Sequence, residues 1–168
     1  MTKLEKVFYY LENQIKNHSI YLWSGQGKPK VKNLTAVEIC KLETSEENAV
    51  RVMKEIYKRQ KAGQIDKYTK PFDCSGLIIC AFIYAGLLPK DKDYDNTADG
   101  LYRKYTHISR KDIQKGDLIF KLDASEHAYH IGMYKGNGKV IEAKGRDYGV
   151  VEWTIDSAWN GAARPDYD

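Results

Sequence analysis

Hydrophobic positions along the chain change their period once. Up to about residue 88 they recur every three or four residues, and from 116 to 165 they come in short alternating or apolar runs. Leu4, Val7, Phe8, Leu11 and Ile15 fall on one helical face, which predicts an amphipathic N-terminal helix docked on the body. Thr44-Ser45-Glu46-Glu47 resembles a capping box opening a helix through "NAVRVMKEIYKRQKAG". Gly63 stops it, and Val52, Met53, Ile56 and Tyr57 supply its apolar side. "FDCSGLIICAFIYAG" predicts a second strong helix, closed by Gly86 and then Pro89, and "NTADGLYRKY" predicts a short further one. After "KGD" at 115–117, "LIFKL", "YHIGMYKG", "KVIEAKG", "GVVEWTI" and "AARPDY" read as strands separated by glycine turns. Helices first and an antiparallel sheet second predict an α+β fold. With no repeats, low-complexity tract or Pro/Ser-rich linker, residues 1–168 read as a single domain.

Composition narrows this picture. At 42% hydrophobic and 30% charged residues, the chain is of the globular class. The run Gly76–Leu88, thirteen residues within the uncharged stretch between Asp73 and Lys90, is short of the ~20 a membrane span needs, so it reads as a buried helix. No apolar region precedes the first charges, so no signal peptide is visible. The expectation is a protein cytoplasmic as made, reaching any outside target by another route. The formal charge of +4 is unevenly placed, since Lys28–Lys70 carries eleven Lys/Arg against six Asp/Glu. That segment can approach an anionic polymer, or can simply be a solvated lysine-rich helix. No nucleic-acid partner is expected. Cys40, Cys74 and Cys80 cannot all pair, and no Cys/His spacing suggests zinc, so free thiols are expected.

Cys74 is placed unlike the other two cysteines. Asp73 is a natural N-cap, which puts Cys74 in the first turn of the apolar helix. Unpaired backbone N–H groups and the macrodipole favour an anion there, so a thiol pKa below the ~8.5 of free cysteine is expected. The same groups can hold an oxyanion, and small Gly76 is expected to leave the approach open. A cysteine inside an apolar helix is more often plain core, which suits Cys80, whereas Cys74 stands at the polar edge of the run. Of the four histidines (18, 107, 127 and 130), His130 heads a strand in which His, Gly and Tyr share one face at period two. His127 and His130, three apart, are expected on opposite faces, without a third metal ligand.

Taken together, "FDCSGL", "KGDLIF", "HIGMYKGNGKVIEA" and "YGVV", in that order, resemble the NlpC family of papain-like cysteine peptidases that cut bacterial cell-wall peptides. The likeness runs from about Phe72 to Arg164, with a fainter match at "YLWSGQG". It implies a papain-like core with the nucleophile helix packed on a small antiparallel sheet, preceded by extra N-terminal helices. It also implies Cys74 as nucleophile, His130 as base and Glu142 as the group that orients the histidine. Tyr21 is implied at the oxyanion or substrate, with Asp73 and Ser75 where some members bind a free peptide amine. The implied reaction is hydrolysis of a γ-D-glutamyl to diamino acid bond in peptidoglycan stem peptides, or muropeptides, with no metal or organic cofactor.

The chain departs from the family pattern at Ser24, where the family has glycine, and at Glu142, where His, Asn or Gln is more usual. Tyr21 and Cys74 are also unusually far apart, so residues 28–70 read as a helical insertion whose basic surface meets an anionic wall polymer. A phage or prophage route would fit the missing leader. An amidase, acyltransferase or deamidase with the same Cys–His pair, and a silent wall-binding module, remain open alternatives. A tight two-residue turn at Asn137-Gly138 would put Glu142 opposite Met133, away from His130. A three-residue loop from Lys135 to Lys139, with Gly138 left-handed in a bulge, would put Glu142 opposite Gly132 and diagonal to His130. The second geometry is expected, with Glu142 accepting a hydrogen bond from one ring nitrogen.

Overall fold

The apolar run after Asp73 becomes the helix on which the rest is assembled. The structure is a computed structural model and describes residues 1–91 and 94–168. Helix α4 spans Cys74–Ala85, capped by the Asp73 carboxylate on the Gly76 N–H and closed by Gly86 in the left-handed conformation at φ 78°. Leu77, Ile78, Ile79, Ala81 and Phe82 are each at most 1% exposed, so this helix is apolar over most of its surface because most of it is covered, with Tyr84 on the exposed side.

Around it lie α1 (Lys3–Lys16), α2 (Ala36–Leu42), α3 (Glu46–Lys61) and α5 (Ala98–Lys104). The strands are β1 (Ile20–Tyr21), β2 (Pro71–Phe72), β3 (Thr106–His107), β4 (Leu118–Leu122), β5 (Ala128–Gly136), β6 (Lys139–Gly145), β7 (Gly149–Thr154) and β8 (Gly161–Arg164). The last six form an antiparallel sheet in the order β3-β8-β4-β5-β6-β7. Val7 and Leu11 of α1, the apolar side chains of α4, Phe120, Ile131, Met133 and Ile141 make one core between the helices and this sheet. Each buried Phe or Leu in it stabilises by ~1.5–3 kcal/mol. Trp159 covers Ile119, Val140 and Ala162 in a second cluster. This is the α+β architecture expected of the sequence.

Residues 28–70 leave and rejoin this body at one point. β1 and β2 pair in parallel, Ile20 with Pro71 and Tyr21 with Phe72. Ile20 N–H donates to Lys70 O at 3.0 Å, and Val31 N–H to Thr69 O at 3.0 Å. Between them, Val31, Ile39, Ala49, Val52 and Ile56 pack on Ile20 and Leu22. Two-residue strands have no period to read, so neither β1 nor β2 was legible beforehand. Neither was α2, which Thr35 and Glu38 close in a reciprocal capping box.

Three local expectations change. Ser45, not Thr44, caps α3, its hydroxyl accepting from the Asn48 N–H at 3.1 Å, while the Thr44 hydroxyl takes the Asn48 side-chain amide at 2.9 Å. Tyr57 is 61% exposed with Lys61 over its ring, because the buried face of α3 runs through Ala49, Val52, Ile56 and Arg59. The β5–β6 hairpin has the expected register, with Met133 opposite Ile141 and Tyr134 opposite Val140, but a different loop. Gly136 pairs with Lys139 across a two-residue turn in which Asn137 and Gly138 have φ of 53° and 71°. A bulge between Tyr134 and Gly136 supplies the odd residue.

The first turn of α4 is pressed against backbone. A side chain on Gly76 would run into the Gly25 carbonyl oxygen, and one on Gly25 would sit 2.8 Å from Leu22 O and 2.9 Å from Phe72 N. Gly76 therefore does not open an approach to Cys74; it lets the helix meet the loop. Gly76→Ala is expected to cost about 3 kcal/mol in urea unfolding, the upper end for overpacking, and a loss under about 0.5 kcal/mol would show that the contact yields.

Candidate active site

The parallel pairing of β1 with β2 carries Tyr21 to the mouth of α4. Leu22 N–H donates to Phe72 O at 3.0 Å and Asp73 N–H to Gly25 O at 2.9 Å, so the loop after β1 is tied to the residues just before Cys74. A cavity of about 390 Å³ opens there. Tyr21, Asp73, Cys74, Ser75 and His130 all line it, with Trp23 and Ser24 on one wall and Asp95, Asn96 and Thr97 on the other. The second wall is held by Asp99, which accepts from the Ala128 N–H at 3.0 Å and so ties α5 to the start of β5. Ser24, standing where glycine was expected, adopts φ 62°, a conformation in which glycine is at ease.

His130 enters from β5. Its Nε2 lies 2.6 Å from Glu142 Oε2, and Glu142 is 1% exposed. A carboxylate can only accept, so Nε2 carries the proton and Nδ1 is the nitrogen left as acceptor. The bond exists because the hairpin register sets Glu142 on the face of Gly132, where a side chain on residue 132 would meet Val140 and Trp159. Trp159 backs the imidazole at a centroid distance of 5.3 Å. Glu142 thus reaches the site through His130 without lining the cavity.

His127 corrects an expectation. Lys121 pairs with His130 but Leu122 with Ala128, so Tyr129 is an extra, bulged residue. The bulge cancels the alternation, and His127, Tyr129 and His130 all face the same cavity. His127 Nδ1 lies 3.5 Å from Asp99 Oδ2.

Electrostatics at Cys74 run against the simple helix-terminus argument. Burial, and then the Asp73 carboxylate beside it, push the thiol up to about 12. The backbone N–H groups of Ile131, Ser75 and Cys74 pull the other way without winning. Desolvation outweighs the helix terminus here, and a thiolate needs a cation as partner. Asp73 is itself raised from 3.8 to about 6, by burial foremost and by Asp95 across the cavity, against the Gly76 N–H and the Ser75 hydroxyl. Burial, with the charges of Cys74 and Asp73, likewise pushes the Tyr21 hydroxyl above the usual phenol range.

One pair of residues was invisible in the sequence. Glu43, between α2 and α3, has a fully buried side chain whose Oε2 is 2.6 Å from the Arg146 guanidinium, and its Oε1 accepts from the Trp23 N–H at 3.0 Å. The Arg146 guanidinium lies 5.3 Å from the Tyr21 ring centroid. A pair 103 positions apart gives no local signal, although it sets the wall that Tyr21 and Trp23 form.

A sequence profile of the NlpC/P60 family matches residues 57–162. Among curated proteins, the chain is 38% identical over 79 residues to the probable endopeptidase YafL of Escherichia coli, covering 44% of this chain and 29% of that protein. It is 30% identical over 135 residues to the murein DD-endopeptidase MepH of the same species, covering 77% and 44%. The chain therefore spans less than half the length of either relative. Among solved structures, the P60 domain of a Mycobacterium avium subspecies paratuberculosis antigen superposes with a TM-score of 0.64 at 21% identity, over 98% of this chain and 96% of that one. RipD of Mycobacterium tuberculosis, described as a non-catalytic NlpC/p60 domain protein adapted to peptidoglycan binding, gives 0.62 at 20% identity over 98% of each. These two likenesses bear on the fold alone. The profile spans Asp73, Cys74, Ser75, His130 and Glu142, and on it the chain belongs to the NlpC/P60 family, whose curated members matched here are named as endopeptidases.

Proposed function

We propose that this chain is a cell-wall cysteine peptidase that hydrolyses the γ-D-glutamyl to diamino acid bond of peptidoglycan stem peptides. The observation that carries the reading is one arrangement: Cys74 at the capped start of α4 shares a cavity with a His130 already held by Glu142. His130 Nδ1 takes the thiol proton, and the thiolate attacks the amide carbon. The tetrahedral oxyanion lies against the first-turn N–H groups of α4, with Tyr21 beside it. Collapse passes the proton from His130 to the leaving amine and leaves a thioester on Cys74. Water, deprotonated by His130, then releases the acid and restores the thiol. Asp73 and Ser75 are placed to receive a free amine of the substrate, and Trp23, 47% exposed, edges the same cavity.

The RipD likeness makes a silent binding module the reading to beat. Against it stands a buried carboxylate spent on orienting His130, which a binding surface does not need. Incubation with purified peptidoglycan should release new amines from the diamino acid, and Cys74→Ala should abolish that release while leaving thermal unfolding unchanged. Iodoacetamide modification of Cys74 should likewise abolish the release, whereas Cys40→Ala and Cys80→Ala should leave it in place. Release lost in either of those two variants, or surviving Cys74→Ala, would overturn the reading. Transfer to an added amine without hydrolysis would indicate an acyltransferase.

Asp73→Asn gives a test with a defined sign. Asn caps a helix as well as Asp, so α4 keeps its start. Removing the negative charge that raises the thiol should move Cys74 alkylation to lower pH. The folded-state pKa of Asp73 is raised, so the folded protein binds the extra proton between about pH 4 and 6 and loses stability as pH rises through that window. Melting curves of the wild type should fall across that window, and those of Asp73→Asn should be flatter.

Lys30, Lys32, Lys41, Lys54, Lys58, Lys61 and Lys67 of the basic segment are exposed. We infer that they meet an anionic wall polymer. Binding to intact walls should weaken steeply with salt while cleavage of a small soluble stem peptide barely changes. Equal salt responses would leave the segment a solvated surface.

A further inference from the structure

We propose that Lys144 is a positioning residue, the fixed counter-charge that allows a carboxylate to stand behind the histidine. The inference deepens the Cys74–His130 reading above and rests on it.

The two oxygens of Glu142 have separate partners. Oε2 is 2.6 Å from His130 Nε2, and Oε1 is 3.8 Å from Lys144 Nζ. With Glu142 1% exposed, a lone carboxylate would carry a heavy desolvation cost whenever His130 is neutral. A neutral orienting group such as Asn or Gln has no such requirement. This chain has a carboxylate, and at the bulge two residues further along the same strand it has a lysine whose ammonium reaches that carboxylate.

Lys144 is held there. Its Nζ lies 4.6 Å from the Trp153 ring centroid and 5.2 Å from that of Tyr148, and the two rings meet edge-on at 5.8 Å. Trp153 pairs with Val140, diagonal to Glu142, and Tyr148 stands in the β6–β7 turn, so the clamp belongs to the sheet that holds Glu142. Two aromatic faces around one ammonium restrict a flexible side chain to the neighbourhood of the carboxylate.

Other ionisable groups face the pair from each neighbouring element. From β4, Lys121 stands opposite His130 with its Nζ over Trp159 at 4.9 Å. From α4 and β1 come Cys74, Asp73 and Tyr21, and from the cavity walls His127 and Asp95. Arg146 is engaged by Glu43, and Glu152 by Lys135. β7 itself sets apolar Val151 opposite Glu142. Among the described residues, Lys144 is the lysine or arginine within ion-pair distance of the Glu142 carboxylate.

Removing one positive charge makes every neighbouring proton harder to lose. The rate of Cys74 alkylation by iodoacetamide, followed against pH by mass spectrometry, should therefore shift to higher pH in Lys144→Met, by less than the ~1–3 units of a charge 4–6 Å away, because Lys144 stands behind Glu142 and His130. Lys144→Arg should overlay the wild type. In a Glu142→Gln background, Lys144→Met should shift the profile less than it does in the wild type, because no carboxylate remains to pair with the ammonium. A Lys144→Met profile superposed on the wild type at unchanged melting temperature overturns the proposal. If Lys144→Met fails to fold, the Glu142→Gln/Lys144→Met double variant should recover the fold, and failure to do so makes Lys144 merely structural and overturns the proposal as well. Alkylation needs no substrate. A wild type that releases nothing from peptidoglycan, with variants that show the expected shifts, would therefore sink the peptidase reading and leave the role of Lys144 standing.

Discussion

The position of the site depends on a backbone contact between two glycines. Gly76, in the first turn of α4, lies so close to the Gly25 carbonyl that it has no room for a β-carbon, and Gly25 has none either, because Leu22 and Phe72 backbone crowd it. The Gly25 carbonyl also accepts the Asp73 N–H, while Asp73 caps the helix through the Gly76 N–H. Loop, cap and helix start are thus one rigid unit. Because β1 leads straight into that loop, the same contact fixes Tyr21 and Trp23 relative to Cys74. A groove wall on an independent loop would need ordering each time a substrate arrived, at about 1–2 kcal/mol per residue. Here that ordering is complete once the helix is capped.

Charge burial is the second constraint, and the molecule meets it by pairing. Glu142 faces His130 and Lys144, and Glu43 faces Arg146 and the Trp23 N–H. Breaking one side of such a pair costs about 3–5 kcal/mol, because the survivor stays buried without its partner. Cys74 and Asp73 are the exceptions. Both are raised by burial, and among the described residues neither has a fixed cation of its own. Their charged forms therefore cost more than in water, and a cation entering the cavity, either a proton on His130 or an amine on a ligand, favours them.

The sequence showed what has a period or a spacing. α1, α3 and α4 and the five longer strands follow from apolar repetition, and Cys74, His130 and Glu142 from motifs within a short span. The hairpin register was legible too, because burial of one face permits only one solution, yet its loop was not, since a two-residue turn with a bulge and a three-residue loop give the same offset. Tyr57 misled because the buried stripe of α3 takes in Ala49 and Arg59, which carry little hydrophobic signal. The Cys74 environment misled for a different reason. A helix N-terminus can be read from the chain, but the desolvation that outweighs it depends on how much protein lies above the sulfur. His127 came to the cavity through a bulge at Tyr129, which no alternation pattern encodes.

The 53-residue separation of Tyr21 and Cys74 takes on meaning once Glu43 is considered. A segment that leaves and returns through adjacent hydrogen bonds, Ile20 to Lys70 and Val31 to Thr69, could have any length without moving Tyr21, since loop closure cost grows only slowly with length. Its ends alone would make it a neutral addition. Glu43 makes it more than that, because its carboxylate is the buried partner of Arg146 and the acceptor for the Trp23 N–H, both of which bear on the groove wall. The Arg146 guanidinium in turn lies against the Tyr21 ring. The segment therefore cannot be deleted cleanly: its removal would strip Arg146 of its carboxylate and Trp23 of its acceptor at the edge of the cavity. A stretch that sequence spacing marks as an addition beside the site has become part of the scaffold that shapes it.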